Sequence, residues 1–494
     1  MGGKSDNKSM MGWRFDNSYS RLPQSLFTRV QPVSVADPNL VILNEKLALD
    51  LGLDPDSMRD SGAKIFGGNL LPEGAEPIAQ AYAGHQFGHF TNLGDGRATL
   101  LGEQITPRGL RFDIQLKGSG QTPYSRRGDG RAALGPMLRE YIMSEAMHAL
   151  GIPTTRSLAV ITTGEGVLRE ELLPGAVLTR VAASHIRVGT FEYASAMGDR
   201  SVIEALVRYT LQRHYPELVD AENTALALLD AVLEAQAKLV AQWMCVGFVH
   251  GVMNTDNIAL SGETIDYGPC AFLDKYDPQT VFSSIDRTGR YAYGNQPDVA
   301  PWNLTRLAEA LLPLIDNNRE KAIADAMEML GRFPNLFHSY YSEGLRAKLG
   351  LITEEEGDFE LADEFLNWML GAGADFTASF FALTQAAETG RLEGPLSVGG
   401  APLQAWHTRW AARLEHQHSG KQEALSAMRR ANPVIIPRNH RVEEALSAAV
   451  AGDLSVMHRL LDVLAKPFDE TEANKPYRRG PEPGGAPYRT FCGT

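Results

Sequence analysis

Cysteine is scarce in this chain. Its 494 residues include three, Cys245, Cys270 and Cys492, too few and too far apart for a disulfide framework or a zinc knuckle. A reducing compartment is the expectation. Long apolar runs are missing as well: no stretch of about 18 apolar residues occurs, and the start carries Lys4 and Lys8 with no apolar segment behind them. Neither a signal peptide nor a membrane span is predicted, an Arg-rich transit segment is absent, and a cytoplasmic protein is expected. Positive charge is in short supply, with 47 basic against 60 acidic residues and a net charge of -13, which disfavours generic binding of nucleic acid. No repeat of fixed period is present. The rest is ordinary for a folded protein, 44% hydrophobic and 22% charged, at a length that suits one large domain or two to three smaller ones.

Local patterns predict a mixed chain. Leu40, Leu43, Leu47 and Leu51 recur at helical spacing between Asp37-Pro38 and Gly52, which predicts a helix there. Strands follow. Residues 110–117 alternate apolar and polar, as in a strand with one buried face, with 97–101 as the antiparallel neighbour across the turn at 106–109. A helix is predicted over 136–150, carrying Glu140 early, then strands at 158–162 and 177–183. From there helices dominate, at 201–213, at 222–245 and from 303 to 464, interrupted by a short strand pair, 258–260 with 263–266. The segment 466–494, rich in Pro, Gly and charge, reads as an extended tail. These patterns divide the chain into an N-terminal extension (1–60), a strand-rich lobe (61–190), a helical lobe (191–465) and the tail.

The order of parts carries more information than any one of them. A glycine turn, a strand ending in Lys, a helix with an early Glu, then a polar loop and Asp-aromatic-Gly in a helical half is the order found in protein-kinase-like folds. The predicted class is α+β, bilobal and kinase-like, with an additional C-terminal helical region. Gly94-Asp95-Gly96-Arg97 enters a strand, where small residues let backbone N–H groups approach phosphate. The same residues also make an ordinary hairpin turn; they do not open a helix, which excludes a Rossmann motif, and no Gly-Lys-Ser/Thr follows to make a Walker A loop. Lys117 and Glu140 match the pair that grips phosphates in such folds. Arg97, Arg126, Arg127, Arg131, Arg180 and Arg187 are a local basic excess suited to a polyphosphate, although each alone also reads as a surface ion pair.

The strongest local signal is His250-Gly251-Val252-Met253-Asn254-Thr255-Asp256-Asn257, followed by Asp266-Tyr267-Gly268. Aligned on a kinase catalytic loop, Asn257 and Asp266 occupy the metal-binding positions, while Val252 stands where the catalytic Asp belongs. By that rule the chain is a pseudokinase, unless Asp256 serves as the base. A carboxylate and a carboxamide suit Mg²⁺ or Mn²⁺ better than zinc. His85 and His89 are spaced like metal ligands on a helix, but Gly84 and Gly88 argue against that helix and for a structural role. His416 and His418 read as a solvated helix end.

These strings closely resemble the selenoprotein O family, also called YdiU. The resemblance rests on 82–88 (Tyr-Ala-Gly-His-Gln-Phe-Gly), 93–98, 115–126, 250–257 and 266–270, and on Asn432-Pro433 and 437–440 near the C-terminus. It implies a kinase-like fold that binds ATP in a flipped orientation and transfers AMP to Ser, Thr or Tyr hydroxyls of proteins. On that basis Gly94, Gly96, Arg97, Lys117, Asp129, Gly130, Arg180 and Arg187 contact the nucleotide, and Glu140 holds Lys117. Asn257 and Asp266 bind Mg²⁺ or Mn²⁺, Asp266 also lies against the phosphates, and Asp256 accepts the proton. Partners are protein substrates, with no nucleic acid or membrane; a monomer is compatible with the sequence, which leaves the oligomeric state open. The family carries a selenocysteine or cysteine third from the C-terminus, the place of Cys492, but Gly493 and Thr494 replace the expected serines. Whether Cys492 pairs with Cys270 in a regulatory disulfide, or both stay free thiols, is open on these grounds. A conventional kinase and a catalytically silent nucleotide-binding scaffold are the competing functional readings.

Overall fold

The computed structural model describes residues 11–417, 420–482, 488 and 490. Its first half is a sheet with helices on both faces. In chain order come β1 (Phe27–Arg29), β2 (Asn39–Leu43), α1 (Glu45–Leu51), α2 (Pro55–Phe66) and β3 (Ile78–Gln80). A separate two-stranded hairpin, β4 (Ala83–Gln86) and β5 (His89–Asn92), follows, then β6 (Ala98–Ile105), β7 (Arg111–Lys117) and β8 (Ala132–Ala133). Next are α3 (Leu134–Ala149), β9 (Arg156–Leu168) and β10 (Leu172–Ala182). The large sheet is antiparallel with order β1-β3-β6-β7-β10-β9-β2, and β8 also pairs with β10.

Side-chain alternation builds two cores on this sheet. In β10, Val177 and Val181 pack with Leu47 and Leu51 of α1 and Ile65 and Phe66 of α2, whereas Ala176 and Leu178 join the core that holds Met137, Leu138 and Tyr141 of α3. β7 was expected to bury one face, yet from Asp113 onward both are buried. Ile114 and Leu116 face α1 and α2, while Asp113, Gln115 and Lys117 are buried on polar partners. A polar residue is absent from water here because an ion pair or hydrogen bond replaces the solvent.

The helix predicted between Asp37 and Gly52 is two elements. Residues 39–43 form β2 against β9, and Asn44 then starts α1 by accepting from the Leu47 amide (3.1 Å). The four leucines mimic one helical stripe because a strand's period and a helix's period coincide over so short a stretch. Gly52 does end the helix, with a left-handed φ of 80°.

After β10 the chain is mostly helical. α4 (Val188–Ala196), α5 (Arg200–His214) and α6 (Thr224–Val246) lead to β11 (Phe248–Val249), which pairs with β12 (Ala271–Phe272). The predicted pairing of 258–260 with 263–266 does not form. A turn closed by Gly262 N donating to Ala259 O (3.2 Å) is present, but Ala259 bridges Arg187 and Thr264 bridges Thr154. Helices from α7 (Gln296–Ile315) to α15 (Ser455–Leu464) complete the body, with breaks where the glycines predict them. Among the described residues no helix is long and apolar enough to cross a membrane.

The tail holds a short helix, α16 (Lys475–Arg478), and returns to the body. Thr490 Oγ1 donates to Pro269 O (2.6 Å), and Arg139 of α3 donates to Cys270 O (2.6 Å), Glu443 (3.1 Å) and the Tyr488 hydroxyl (3.0 Å). Burial pushes the Cys270 thiol up to about 12. Cys492, the other half of the disulfide considered above, lies outside the described residues, as does His418.

Candidate active site

A cavity of about 360 Å³ lies where the sheet meets the helical body. Eleven of the twelve residues singled out from the sequence line it: Gly94, Gly96, Arg97, Lys117, Asp129, Gly130, Arg180, Arg187, Asp256, Asn257 and Asp266. Glu140, the twelfth, stands buried behind Lys117. Several elements converge to achieve this. Lys117 ends β7, Arg180 sits opposite Gln115 on β10, Arg187 is the residue before α4, and a one-turn helix, Thr255–Asn257, presents Asp256 and Asn257.

Asp266 is the hub of the charges. Its Oδ1 accepts from Lys117 Nζ (2.7 Å) and Arg180 (2.9 Å), and its Oδ2 from Arg187 (3.1 Å). Lys117 Nζ also donates to Glu140 Oε2 (2.6 Å). Burial opposes ionisation of Asp266, but Arg180, Lys117 and Arg187 outweigh it and hold its carboxyl well below the usual range. The backbone there is in the left-handed region, φ 61°, a costly conformation for a residue with a Cβ. His250 anchors the approach, its ring bonded to Ile265 O at 2.9 Å. Three cations thus meet two carboxylates, leaving surplus positive charge on the cavity wall.

Asp256 has a different environment. It is buried, its Oδ1 has no hydrogen-bond partner, and burial pushes its carboxyl up to about 6 despite the pull of Arg187. Gly84 of β4 packs directly on that carboxylate, so closely that any Cβ there would collide with Oδ1. Asn257 Nδ2 donates to Val252 O (2.9 Å), which leaves the carboxamide oxygen as its free end. Among the described residues no three His, Cys, Asp or Glu side chains stand together as a metal cage.

The glycine turn closes the cavity from the sheet side. Gly94 has φ 109° and lies against the Tyr124 ring, a fit that only the absence of a side chain permits. Asp129 sits at the rim, where Arg169 (2.8 Å) lowers its carboxyl, and Arg131 N donates to it (2.9 Å). Arg126 and Arg131 also line the cavity; Arg127 is not among the lining residues. His85 and His89 lie on the β4–β5 hairpin, and the His85 ring bonds Glu192.

Among the lining residues given no role from the sequence are Tyr82, Asp95, Asn254 and Arg169. Tyr82 carries the Arg187 guanidinium over its ring at 4.5 Å. Asp95 is buried, accepts from Gln80 N (3.0 Å) and Gln115 (3.3 Å), and burial pushes it up to about 6. Asp95 stands between two glycines of the turn and Tyr82 opens the 82–88 string, whereas Arg169 offers no local signal.

A sequence model of the family described as protein adenylyltransferase SelO matches residues 9–465. The chain belongs to that family. It is 59% identical over 485 residues to the protein nucleotidyltransferase YdiU of Geobacillus kaustophilus, covering 98% of this chain and 99% of the relative. The YdiU protein of Anoxybacillus flavithermus is 58% identical over 484 residues (98% and 99%), and that of Bacillus cytotoxicus 56% over 493 (99% and 100%). As a SelO-family member the chain is an enzyme, a protein adenylyltransferase.

Proposed function

We propose that this cavity holds ATP in a flipped orientation and transfers AMP to Ser, Thr or Tyr hydroxyls of proteins, with Asp256 as the proton acceptor. The architecture is read as kinase-like: an N-lobe over 61–190 behind the 1–60 extension, a C-lobe over 191–465 with its additional helices, and the 466–494 tail. The observation that carries the reading is the contrast between Asp266 and Asp256. One carboxylate is held charged by three cations; the other is buried, unpartnered at Oδ1 and raised to about 6, as a base matched to neutral pH needs.

In this reading Gly94, Gly96, Arg97, Asp129 and Gly130 contact the nucleotide, and Lys117, Arg180 and Arg187 meet its phosphates, with Glu140 orienting Lys117. The acceptor oxygen attacks the α-phosphorus, its proton passes to Asp256, and the bond to the bridging oxygen breaks. Pyrophosphate leaves toward the guanidiniums, whose fixed charge stabilises the developing negative charge. Asp266 and the free oxygen of Asn257 are hard donors that, with phosphate oxygens, fit Mg²⁺ or Mn²⁺. When bound, such an ion neutralises phosphate charge in the transition state.

Phosphoryl transfer is the competing chemistry, and Val252 at the kinase base position weighs against it. Incubation with ATP labelled at the α- or the γ-phosphate separates them. Label from the α-position alone, lost in Asp266→Ala, supports AMP transfer; label from γ alone overturns it.

A further inference from the structure

A second hollow, of about 520 Å³, lies beside the Asp256 turn, lined by Phe87, Ile285, Asp286, Arg287, Thr288 and Arg290. Asn254 ties its two walls together. Its Oδ1 accepts from Phe87 N of the β4–β5 hairpin (3.0 Å) and from the Tyr291 hydroxyl (2.5 Å), and the Phe87 and Tyr291 rings meet at 5.2 Å. Asn254 also lines the nucleotide cavity, two residues before Asp256. The hairpin grips the same turn a second time, through His85 N donating to Thr255 Oγ1 (2.7 Å). The hollow is therefore one side chain away from the proposed proton acceptor.

Its surface is apolar and positive at once. Ile285 in the lining is 57% exposed, a large apolar group that water does not favour, and Phe87 of the same lining is half-buried. His85 packs on Trp302 (5.6 Å), and Arg290 lies over Trp302 (4.7 Å), so the Arg290 side of the hollow is fixed in place. The one carboxylate in the lining, Asp286, is used up by the Arg290 and Tyr291 amides (3.1 and 2.8 Å). Among the described residues no salt bridge joins Arg287 or Arg290 to a carboxylate, and Arg290 lies over the Tyr291 and Trp302 rings. With two guanidiniums against the single Asp286 carboxylate, the lining keeps a positive charge in a chain of net charge -13, a place for negative charge to arrive.

We propose that this hollow docks the acceptor protein, taking an extended segment in which the reacting hydroxyl is neighboured by an apolar residue and by Asp or Glu. The apolar residue covers Ile285 and Phe87; the carboxylates meet Arg287 and Arg290. The proposal rests on the transferase reading for the chemistry, but not for the binding.

The test uses short fluorescent peptides carrying one serine beside a leucine, flanked by glutamates in one and lysines in the other, titrated against the full chain. The wild type is expected to bind the glutamate peptide about tenfold more tightly, Arg287→Glu to reverse the preference, and Ile285→Ser to weaken both peptides. Both residues are exposed, so the substitutions leave the core intact. Equal binding of the two peptides, or a preference that survives Arg287→Glu, overturns the docking site. Offering the same peptides with α-labelled ATP separates the two proposals. A reversible preference without label leaves docking standing and sinks the transfer chemistry, whereas label without preference sinks docking alone.

Discussion

Arg187 is tied to Asp256 through the backbone: its guanidinium donates to the Asp256 carbonyl at 2.9 Å, and the carboxylate Oδ1 is left without a partner. The arginine fixes where the acid stands without occupying it. Raised to about 6, Asp256 is deprotonated over the neutral range and ready to receive a proton. The rate of AMP transfer should therefore climb with pH through about 6 and level off above it. Asp256→Asn should lower the rate by about 10²–10⁴ and remove that inflection. A pH-rate profile of both proteins checks this; an unchanged inflection in Asp256→Asn would assign it elsewhere.

The same shift predicts a stability effect. The folded value, about 6, lies above the ordinary 3.8, so the native state holds its proton more tightly than the unfolded chain. That contribution is complete below about 3.8 and lost as pH rises to about 6. Asp256→Asn cannot titrate, so it should be more stable than the wild type above that window, by about 1–3 kcal/mol, with the gap closing in acid. Thermal melts at several pH values read it directly.

Removing the hub should cost more than activity. In Asp266→Ala, Lys117, Arg180 and Arg187 face one another with Glu140 as the remaining carboxylate, and loss of a buried partner destabilises by about 3–5 kcal/mol. The melting temperature is expected to fall and transfer to vanish. Saturating ATP with Mg²⁺ should raise the wild-type melting temperature, and EDTA should abolish transfer until Mn²⁺ or Mg²⁺ is restored.

Gly84→Ala tests the packing of the hairpin on Asp256, the proposed base. Its methyl would collide with Asp256 Oδ1, so transfer should drop by about 10²-fold while ATP still protects against melting. Calorimetric titration beside the activity assay distinguishes this from global unfolding.

Much of this was legible because the decisive residues sit in regular elements or short motifs. Lys117 ends an alternating strand, Glu140 rides a helix with clear stops, and Asn257 and Asp266 keep kinase-like spacing. What escaped depends on partners far away in sequence. Residues 39–43 take strand form because β9 is there to pair with, and 259 and 264 bridge Arg187 and Thr154 instead of each other. Gly84 meets Asp256 across 172 positions, which no local pattern encodes.

Arg139, one position before Glu140, contacts residues 304 and 349 positions downstream, Glu443 and Tyr488. Ribosomes build the chain from its other end, so α3 emerges long before either partner has been made. Until then the helix carrying Glu140 lacks its outer fastening. The outer side of α3 is thus fastened only after Glu443 and Tyr488 have been made, and a chain cut before them should hold Glu140 less firmly beside Lys117.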